Sequence, residues 1–436
     1  LRNAENKRYW GPLTGESRNV GNNQPLGELT NGESNTYRWI NTANYQVLKS
    51  DKHNLGVLLG QELNTTSGFS TFNRAKNFDV TMTPEYLFAN MALGVSERLE
   101  TSESRGEDLM SFFGRVNYTF NGKYIFYGTL RADGSSKFAP DNRWGYFPAA
   151  SFAWRTSDEE FVKSLNVFSD LKFRLSYGGA GNNRIPNDSW RFLFSPSANR
   201  PYGSGNINQT YYNFRNNFLP NPDLKWETTV SRNLGLDFGF FKNRLTGTID
   251  AYWNTTKDLI VNNDIPPQTG FTSQQINVGQ TSNRGIELSL NGTIIDTKDF
   301  QLSGSFNIGR NIPKIDRLDG NDVRNIQSNW AGTDLKTQDD YQLITGRTIG
   351  LMYGYVADGF YTTDDFESYT GGEYILKAGV TDVSGIVSGI IGVRPGTMKL
   401  KDLDGDGFIT ADKDRQIIGS AIPKHSGGFG LNATYK

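Results

Sequence analysis

Apolar and polar residues alternate with a period of two along much of this sequence, in segments of about ten residues. Residues 171–177, for example, read LKFRLSY, so leucine, phenylalanine and tyrosine alternate with lysine, arginine and serine. Residues i and i+2 of a β-strand lie on the same face, so each segment has one apolar and one polar face. The pattern recurs at 113–120, 124–131, 234–240, 245–254, 286–294, 300–308 and 429–435. The chain is therefore predicted to be an all-β protein of antiparallel strands.

The connections between these segments are alternately short and long. Short polar turns lie at 121–123, 241–244 and 296–299, whereas longer polar stretches lie at roughly 132–143, 182–224, 258–281 and 312–422. Successive connections of an up-and-down sheet emerge on opposite sides, so all the long stretches are expected on one side, with 157–169 the longest on the other. A soluble sandwich also alternates, but short turns opposite long extracellular loops are typical of outer-membrane barrels. We therefore predict an up-and-down transmembrane β-barrel.

The composition excludes several classes of protein. With 45 basic and 46 acidic residues, the chain lacks the basic excess of a nucleic-acid-binding surface, so no nucleic acid is expected as a partner. It contains no Cys, which excludes disulfides and a Cys nucleophile, and two His residues are too few for a His-rich metal site. No run approaches the roughly 18 apolar residues of a membrane helix, and this absence leaves barrels open because their strands alternate.

Aromatic residues near the strand ends permit two interpretations. They are either interfacial girdles, since amphipathic rings favour the membrane boundary, or ordinary cross-strand packing residues, and the sequence favours neither. The residues in question are Tyr124, Tyr146, Phe147, Trp154, Tyr252 and Trp253.

Several longer motifs follow one another in a fixed order. They are DGSSKF, NRWGYFPAASFAW and SDLKFRLSYG within 123–183, NPDLKWET at 221–228, SNRGIELSL at 282–290, YGYVADGFYTTDDF at 353–366, PGTMKLKDLDGDGFI at 395–409 and DRQIIGSAIPKHSGGFG at 414–430. Over about 110–436 this arrangement resembles the barrel of SusC-like (SusC/RagA) TonB-dependent transporters. Residues 1–110 are compatible with that family but less diagnostic.

The resemblance implies a 22-stranded barrel with an N-terminal plug in the Gram-negative outer membrane. It also implies a SusD-like surface lipoprotein as partner, energy from the TonB–ExbB–ExbD complex, and uptake of oligosaccharides or peptides. In that family the plug and TonB box lie upstream of the barrel, and neither is found in these 436 residues. We expect residues 1–436 to be part of one transmembrane β-barrel domain, incomplete at both ends and in contact with outer-membrane lipid.

A run of alternating carboxylates matches the first half of a calcium loop. Asp402, Asp404 and Asp406 can converge on one hard cation, and the following glycine permits a sharp turn. The twelfth position of such a loop takes a Glu but here is Lys413, flanked by Asp412 and Asp414. These five aspartates are a candidate Ca²⁺ site that would order the loop, and the alternative is an acidic turn without an ion. No cofactor is expected to be required.

The stretch 184–224 is the best candidate for ligand contacts. Aromatic faces stack on sugar rings, and tyrosine and tryptophan also dominate the centres of protein interfaces. A loop packed on its neighbours is the plain alternative. Among its aromatic residues, which include Phe192, Phe194 and Phe214, the predicted contacts are Trp190, Tyr202, Tyr211 and Tyr212.

No motif indicates an active site, so we expect no enzyme activity. The Gly178–Gly181 cluster lacks the lysine of a phosphate loop, and His425 and Ser426 point to opposite faces of a strand. Two alternatives to an importer remain: a passive porin or adhesin barrel, and a secreted β-rich carbohydrate-active enzyme, which would need a pair of carboxyl groups near a groove.

Overall fold

A computed structural model describes residues 2–20, 22–204, 207–214, 218–328, 339–386 and 392–436. The side chains of residues 105, 195–204 and 207–213 lie outside the described part of the chain. No helix within this part is long and apolar enough to cross a bilayer.

Most described residues lie in β-strands. In chain order these are β1 (Arg2–Trp10), β2 (Leu26–Lys49), β3 (His53–Lys76), β4 (Val95–Phe120), β5 (Tyr124–Ser135), β6 (Trp144–Arg155), β7 (Phe168–Asn182), β8 (Phe194–Ser204), β9 (Ile207–Phe214), β10 (Phe218–Leu219), β11 (Glu227–Phe240), β12 (Leu245–Asp264), β13 (Ser273–Asp296), β14 (Phe300–Arg317), β15 (Val323–Ile326), β16 (Tyr341–Ile344), β17 (Leu351–Gly354), β18 (Ala357–Phe360), β19 (Phe366–Thr370), β20 (Glu373–Leu376), β21 (Met398–Leu400), β22 (Gln416–Ser420) and β23 (Ser426–Tyr435).

The helices are short and lie in the connections. They are α1 (Gly15–Val20), α2 (Pro84–Ala89) and α3 (Glu160–Lys163), with 3₁₀ turns at Met91–Leu93, Pro140–Asn142, Thr156–Asp158, Pro267–Thr269 and Thr363–Asp365.

The chain divides into two units. The first comprises Leu1–Trp154, Ser176–Thr228 and Asn262–Asn277. In it β1 to β6 pair antiparallel in chain order, each strand with the next. The tight turns 50–52 and 121–123 lie side by side, since the N–H of Asn121 donates to the carbonyl of Lys52 at 2.7 Å. Asn121 and Gly122 both have positive φ, 50° and 68°, which is the backbone that a tight hairpin turn requires.

The second unit comprises Arg155–Leu175, Thr229–Val261 and Val278–Lys436. The strand order in its sheet is β7 (the part up to Leu175), β11, β12, β13, β14 and β23, each hydrogen-bonded to the next. Strands β14 and β23 are antiparallel. The tight turns 241–244 and 297–299 join β11 to β12 and β13 to β14. The connection between β14 and β23 contains three small sheets, formed by β15–β16–β17–β22, β18–β21 and β19–β20.

The strands on either side of a predicted connection extend further into it than the alternation indicates. The sequence places a connection at 258–281, whereas β12 continues to Asp264 and β13 begins at Ser273. The strict alternation is broken in these extensions, for example by the consecutive apolar residues Leu259, Ile260 and Val261, so the hydrogen-bonded ladder continues where the period-two pattern has ended.

Aromatic rings form two rows on the apolar face of the first unit. Next to the 121–123 turn, Phe120, Tyr124 and Trp154 are cross-strand neighbours, with successive ring centroids 6.2 Å apart. Towards the other end of the same strands, Phe112 and Trp144 stack at 6.2 Å. Apolar side chains lie exposed between the rows, as expected of a lipid-facing band with interfacial girdles.

The girdle interpretation is wrong for two of the six aromatic residues. Phe147 lies on the opposite face of β6 and is only 6% exposed. Tyr252 shares a face of β12 with Asp250, and its hydroxyl donates to Asn311 at 3.1 Å. Because adjacent strand residues point to opposite faces, a shift of one position reverses the assignment, as Trp253 shows with 45% exposure on the apolar face.

Candidate functional site

Charged side chains on the polar face of the first unit form one network. The Arg131 guanidinium lies 2.7 Å from Asp133 and 3.1 Å from Glu62, and Arg38 lies 2.6 Å from the same glutamate. Arg131 also donates to the Ser111 hydroxyl at 2.9 Å. Glu62 and Asp133 are buried. The arginine partners replace the water that each carboxylate loses on burial.

A second network lies on the polar face of the second unit. Asp237 accepts from Lys172 at 2.7 Å and from Arg174 at 2.8 Å. Arg174 reaches Asp250 on the next strand at 3.0 Å. A Cβ at position 235 would lie 2.6 Å from the Arg174 guanidinium carbon, so Gly235 leaves the space that this side chain occupies. The alternation predicted Lys172, Arg174 and Asp250 on a polar face, and the structure confirms this.

The predicted ligand contacts fall partly outside the described residues. The side chains of Tyr202, Tyr211 and Tyr212 lie there, on β8 and β9. Trp190 is half-buried, and the Arg191 guanidinium lies over its ring at 5.3 Å from the centroid. Among the described residues, no hydrogen-bond partner approaches the buried indole Nε1 of this tryptophan.

Four phenylalanines near Trp190 form an aromatic patch. Phe214 contacts Phe192 at 5.5 Å, Phe194 at 5.2 Å and Phe271 at 5.2 Å between ring centroids. Phe271 is buried, whereas the other three rings are 49–60% exposed. The sequence places three of these rings in one stretch but does not bring in Phe271, which comes from the connection between β12 and β13. No local signal reports that contact.

Motif residues that are far apart in sequence meet in a second aromatic cluster. Trp226 packs between Phe138 and Phe147 with ring centroids 5.3 and 5.4 Å away, and Leu224 beside it is fully buried. The Trp226 indole N–H donates to the Arg143 carbonyl at 2.7 Å. Three of the motifs that carry the family resemblance therefore build one hydrophobic cluster.

The candidate calcium loop is held mainly by its own backbone. Asp402 accepts from the N–H groups of Gly405 and Gly407 at 2.7 and 2.8 Å. The buried Asp414 accepts from the N–H groups of Leu403 and Thr410 at 2.9 and 2.7 Å. Each carboxylate therefore closes a turn, which is the usual role of aspartate in such loops.

Three of the five predicted aspartates come together. Asp402, Asp404 and Asp414 each offer a carboxylate oxygen, and these oxygens lie within 4.8 Å of one another. Asp406 does not join that group, and Asp412 is exposed. Such a cluster of carboxylate oxygens suits a hard cation.

A lysine ammonium lies beside this group. Lys413 contacts Asp404 at 2.9 Å and Asp406 at 2.8 Å. It lowers the pKa of Asp406, and the N–H of Gly407 does the same for the pKa of Asp402. The carboxylates of Asp406 and Asp404 in turn raise the pKa of Lys413 above its usual value. The side chain at the twelfth position thus supplies a positive charge where a calcium loop supplies a ligand.

Residues 3–386 match the protein family described as TonB dependent receptor-like, beta-barrel. The chain belongs to this family. Its two-faced antiparallel strands are those of a TonB-dependent barrel, and the chain is part of an outer-membrane β-barrel.

Curated members of the TonB-dependent family are similar to this chain. TonB-dependent receptor P3 of Formosa agariphila is 34% identical over 415 residues, which are 94% of this chain and 38% of that protein. TonB-dependent receptor SusC of Bacteroides thetaiotaomicron is 42% identical over 226 residues, covering 52% of this chain and 22% of SusC. The chain therefore spans well under half the length of these relatives.

A solved structure of the same family matches the whole chain. The RagAB peptide importer in its closed-closed state aligns with a TM-score of 0.72 and 26% identity, over 100% of this chain and 43% of that one. The sequence resemblance to SusC-like transporters is thereby confirmed.

Proposed function

We propose that the protein imports oligosaccharides or peptides across the outer membrane, together with a SusD-like surface lipoprotein. The observation that carries this proposal is the match of the whole chain to the RagAB peptide importer, at a TM-score of 0.72. The identity with SusC over half the chain supports the same class of importer.

The polar strand faces line the passage in this proposal. In outer-membrane barrels the residues of a strand alternate between lipid and lumen, so the Arg131 and Arg174 networks face the lumen. Transport is driven through TonB and its inner-membrane complex, which acts on a plug that precedes the barrel in this family. The chain acts as a transporter and carries out no catalysis.

The proposed transport is tested in the native host with the gene for the full protein deleted or restored. Labelled oligosaccharides and a labelled tryptic peptide mixture serve as probes, and uptake is measured before and after collapse of the proton-motive force. Restored uptake that stops on collapse is the expected result. Uptake that continues after collapse would indicate a passive porin, and cleavage of a probe by the purified protein would indicate an enzyme.

Ligand contact is proposed for the loop aromatics, namely Trp190 and the predicted Tyr202, Tyr211 and Tyr212. The exposed aromatic patch, two of whose rings (Phe192 and Phe194) follow Trp190 closely in the sequence, supports this proposal, since ring faces pack on sugars and on apolar peptide side chains alike. Alanine at both 190 and 211 is expected to raise the half-saturating substrate concentration. Unchanged uptake by that double variant would remove these residues from the site.

Calcium is proposed as a weak ligand of the Asp402, Asp404 and Asp414 group, with Asp406 and Asp412 at its edge. The convergence of three carboxylates supports it, whereas Lys413 competes with a cation for two neighbouring oxygens. Equilibrium dialysis of the purified protein with ⁴⁵Ca²⁺ is the test. Binding lost in Asp402→Asn is expected, and no binding at millimolar calcium would leave only a self-closed acidic turn.

A further inference from the structure

We infer that Trp226 is a positioning residue that fixes the connection 183–226 to the strand framework and so sets the place of the aromatic patch. The patch consists of Phe192, Phe194, Phe214 and Phe271, and its role in ligand contact rests on the proposed function. The hold of this one side chain on the connection does not depend on a ligand.

The position of Trp226 is determined by packing and by a hydrogen bond. Its ring is 9% exposed and lies between Phe138 and Phe147. The Arg143 carbonyl accepts both the indole N–H at 2.7 Å and the N–H of Ser135 at 3.1 Å. The tryptophan at the end of the connection is therefore bonded directly to the backbone that links β5 to β6.

Two glycines make room for these rings. A Cβ at position 145 would lie 2.5 Å from the Phe147 ring and 3.0 Å from the Trp226 ring. A Cβ at position 181 would lie 2.1 Å from the Phe147 ring. Distances below 3.0 Å are not tolerated between such atoms, so Gly145 and Gly181 are needed for the cluster to close.

The start of the connection is hydrogen-bonded to residues close to the Trp226 cluster. Asn182 donates to Glu227 at 3.1 Å, so the two ends of the connection are bonded to each other. Asn183 donates to the Ser135 hydroxyl at 3.2 Å and also to Glu107. The first and last residues of the connection are therefore both hydrogen-bonded to the segment 135–143, which links β5 to β6.

The last part of the connection is also tied to the neighbouring connection. The side-chain amide of Asn221 donates to the Gln275 carbonyl at 2.9 Å. Asn277 exchanges two bonds with the backbone of Lys225, at 3.0 and 2.9 Å. Phe271 lies just before these residues, so the buried member of the patch and Trp226 are held by the same set of contacts.

The described contacts link the patch to the region of Trp226 through Phe271, which packs against Phe192 and Phe214. Phe192 and Phe214 lie between the fastened entry and the fastened exit, and Phe271 lies in the connection that the exit contacts. Loss of the Trp226 ring removes the packing that closes the exit, while the strands keep their own ladders. The expected result is a folded barrel with a displaced binding surface.

The test uses the full-length protein in outer membranes and compares Trp226→Ala with Trp226→Phe. For Trp226→Ala we expect cleavage within 183–226 by added protease to be at least tenfold faster. We also expect the half-saturating concentration for uptake of the labelled probes to rise about tenfold, with the maximal rate within twofold. Trp226→Phe keeps the ring packing and is expected to restore both values to within about threefold of the wild type.

Trp253→Ala is the matched control, because this exposed ring lies on the apolar face of β12 and is expected to change neither measurement. If Trp226→Ala does not reach the membrane, Trp226→Leu takes its place, since it removes the indole hydrogen bond and the ring contacts but keeps an apolar side chain at the buried position. Cleavage at the wild-type rate in the variant examined would overturn the inference. Faster cleavage in a protein that takes up no probe would retain it and reject the proposed function instead.

Discussion

Two long connections of this molecule are stabilised in different ways. The connection 318–425 has its own hydrophobic core, in which Tyr361, Val383 and Ile409 are 0–2% exposed and Phe366 and Val393 pack against them. The connection 183–226 has a hydrophobic cluster at its end, where Trp226 packs on Phe147 of β6 and on Phe138 before it, and where Leu224 is fully buried. The first is a small folded module, whereas the second depends on the framework.

The difference follows from chain length. A segment must bury enough apolar surface to offset the conformational entropy that it loses on folding. The longer connection contains enough apolar residues for a core and three small sheets. Among the described residues of the shorter one, the buried apolar side chains include Ile185, Leu224 and Trp226, which lie near its two ends. We therefore expect damage to one connection to leave the other intact.

The largest effect is expected from Val383→Asp. Val383 is fully buried in the core of 318–425, and burial of an unpaired carboxylate costs roughly 3 kcal/mol or more. Protease added to outer membranes should therefore cleave 318–425 rapidly, whereas 183–226 should remain as resistant as in the wild type. Peptide mapping of the fragments measures both regions in one experiment.

The matched control places the same charge on the surface of the same module. Ile375 is 47% exposed, so Ile375→Asp is expected to leave the cleavage rate of 318–425 within about twofold of the wild type. Equal cleavage of both connections in Val383→Asp would show that they unfold as one cooperative unit and are not stabilised independently.

Much of the strand framework was predictable from the sequence because strand geometry is local. Period two alone assigns Phe173 and Leu175 to one face and Lys172 and Arg174 to the other, and the structure places them so. The pattern was weaker before residue 110, where β1, β2 and β3 were not identified. Many residues there are polar on both faces, so the alternation does not appear.

The clusters were not predictable because they depend on contacts between distant residues. Nothing near Arg143 indicates that its carbonyl accepts the indole of a residue 83 positions away. The motifs identified the family through these same residues, yet the sequence does not report that Phe138, Phe147 and Trp226 meet. The face of β6 on which Phe147 lies is a local property, but the burial of its ring also requires that meeting.

A smaller effect is expected from Gly181→Ala at the base of the shorter connection. The new methyl group would overlap the Phe147 ring, and overpacking of this kind typically costs about 1–3 kcal/mol. Cleavage within 183–226 should become several-fold faster, while 318–425 remains resistant. This is the converse of the Val383→Asp result, measured in the same way.

Gly128→Ala is the control for the glycine substitution. Gly128 also lies in a strand, β5, but no atom lies within 4 Å of a Cβ at that position. We expect Gly128→Ala to be cleaved within 183–226 at the wild-type rate. If Gly181→Ala is also cleaved at the wild-type rate, then the Phe147 ring can move without releasing the connection 183–226.

The module 318–425 is expected to weaken in acid through Asp365. This carboxylate accepts from Lys399 at 2.6 Å and from the N–H of Thr362 at 2.6 Å. These bonds lower its pKa from 3.8 to about 2. Because the folded pKa lies below the unfolded value, the contribution of Asp365 is complete above pH 3.8 and is lost as pH falls through about 2.

Pepsin cleavage of 318–425 measures this pH dependence. Asp365→Asn should be cleaved a few times faster than the wild type at pH 4.5, and the ratio of the two rates should approach one near pH 2. Asp364→Asn is the control, since Asp364 is an exposed neighbour on the same turn. A ratio that stays constant across this range would exclude Asp365 as the titrating group.

The smallest effect is expected from Lys413→Gln, which tests whether an internal cation keeps calcium away from the longer connection. The substitution removes the ammonium beside Asp404 and Asp406 and leaves the three converging carboxylates unchanged. Calcium affinity should rise about tenfold, equivalent to roughly 1.4 kcal/mol, and calcium should then slow cleavage of 318–425 but not of 183–226. Lys424→Gln, a nearby exposed lysine, controls for net charge. Equal affinities in the two variants would mean that Lys413 only closes the loop and does not compete with an ion, so the module would owe its order to its core alone.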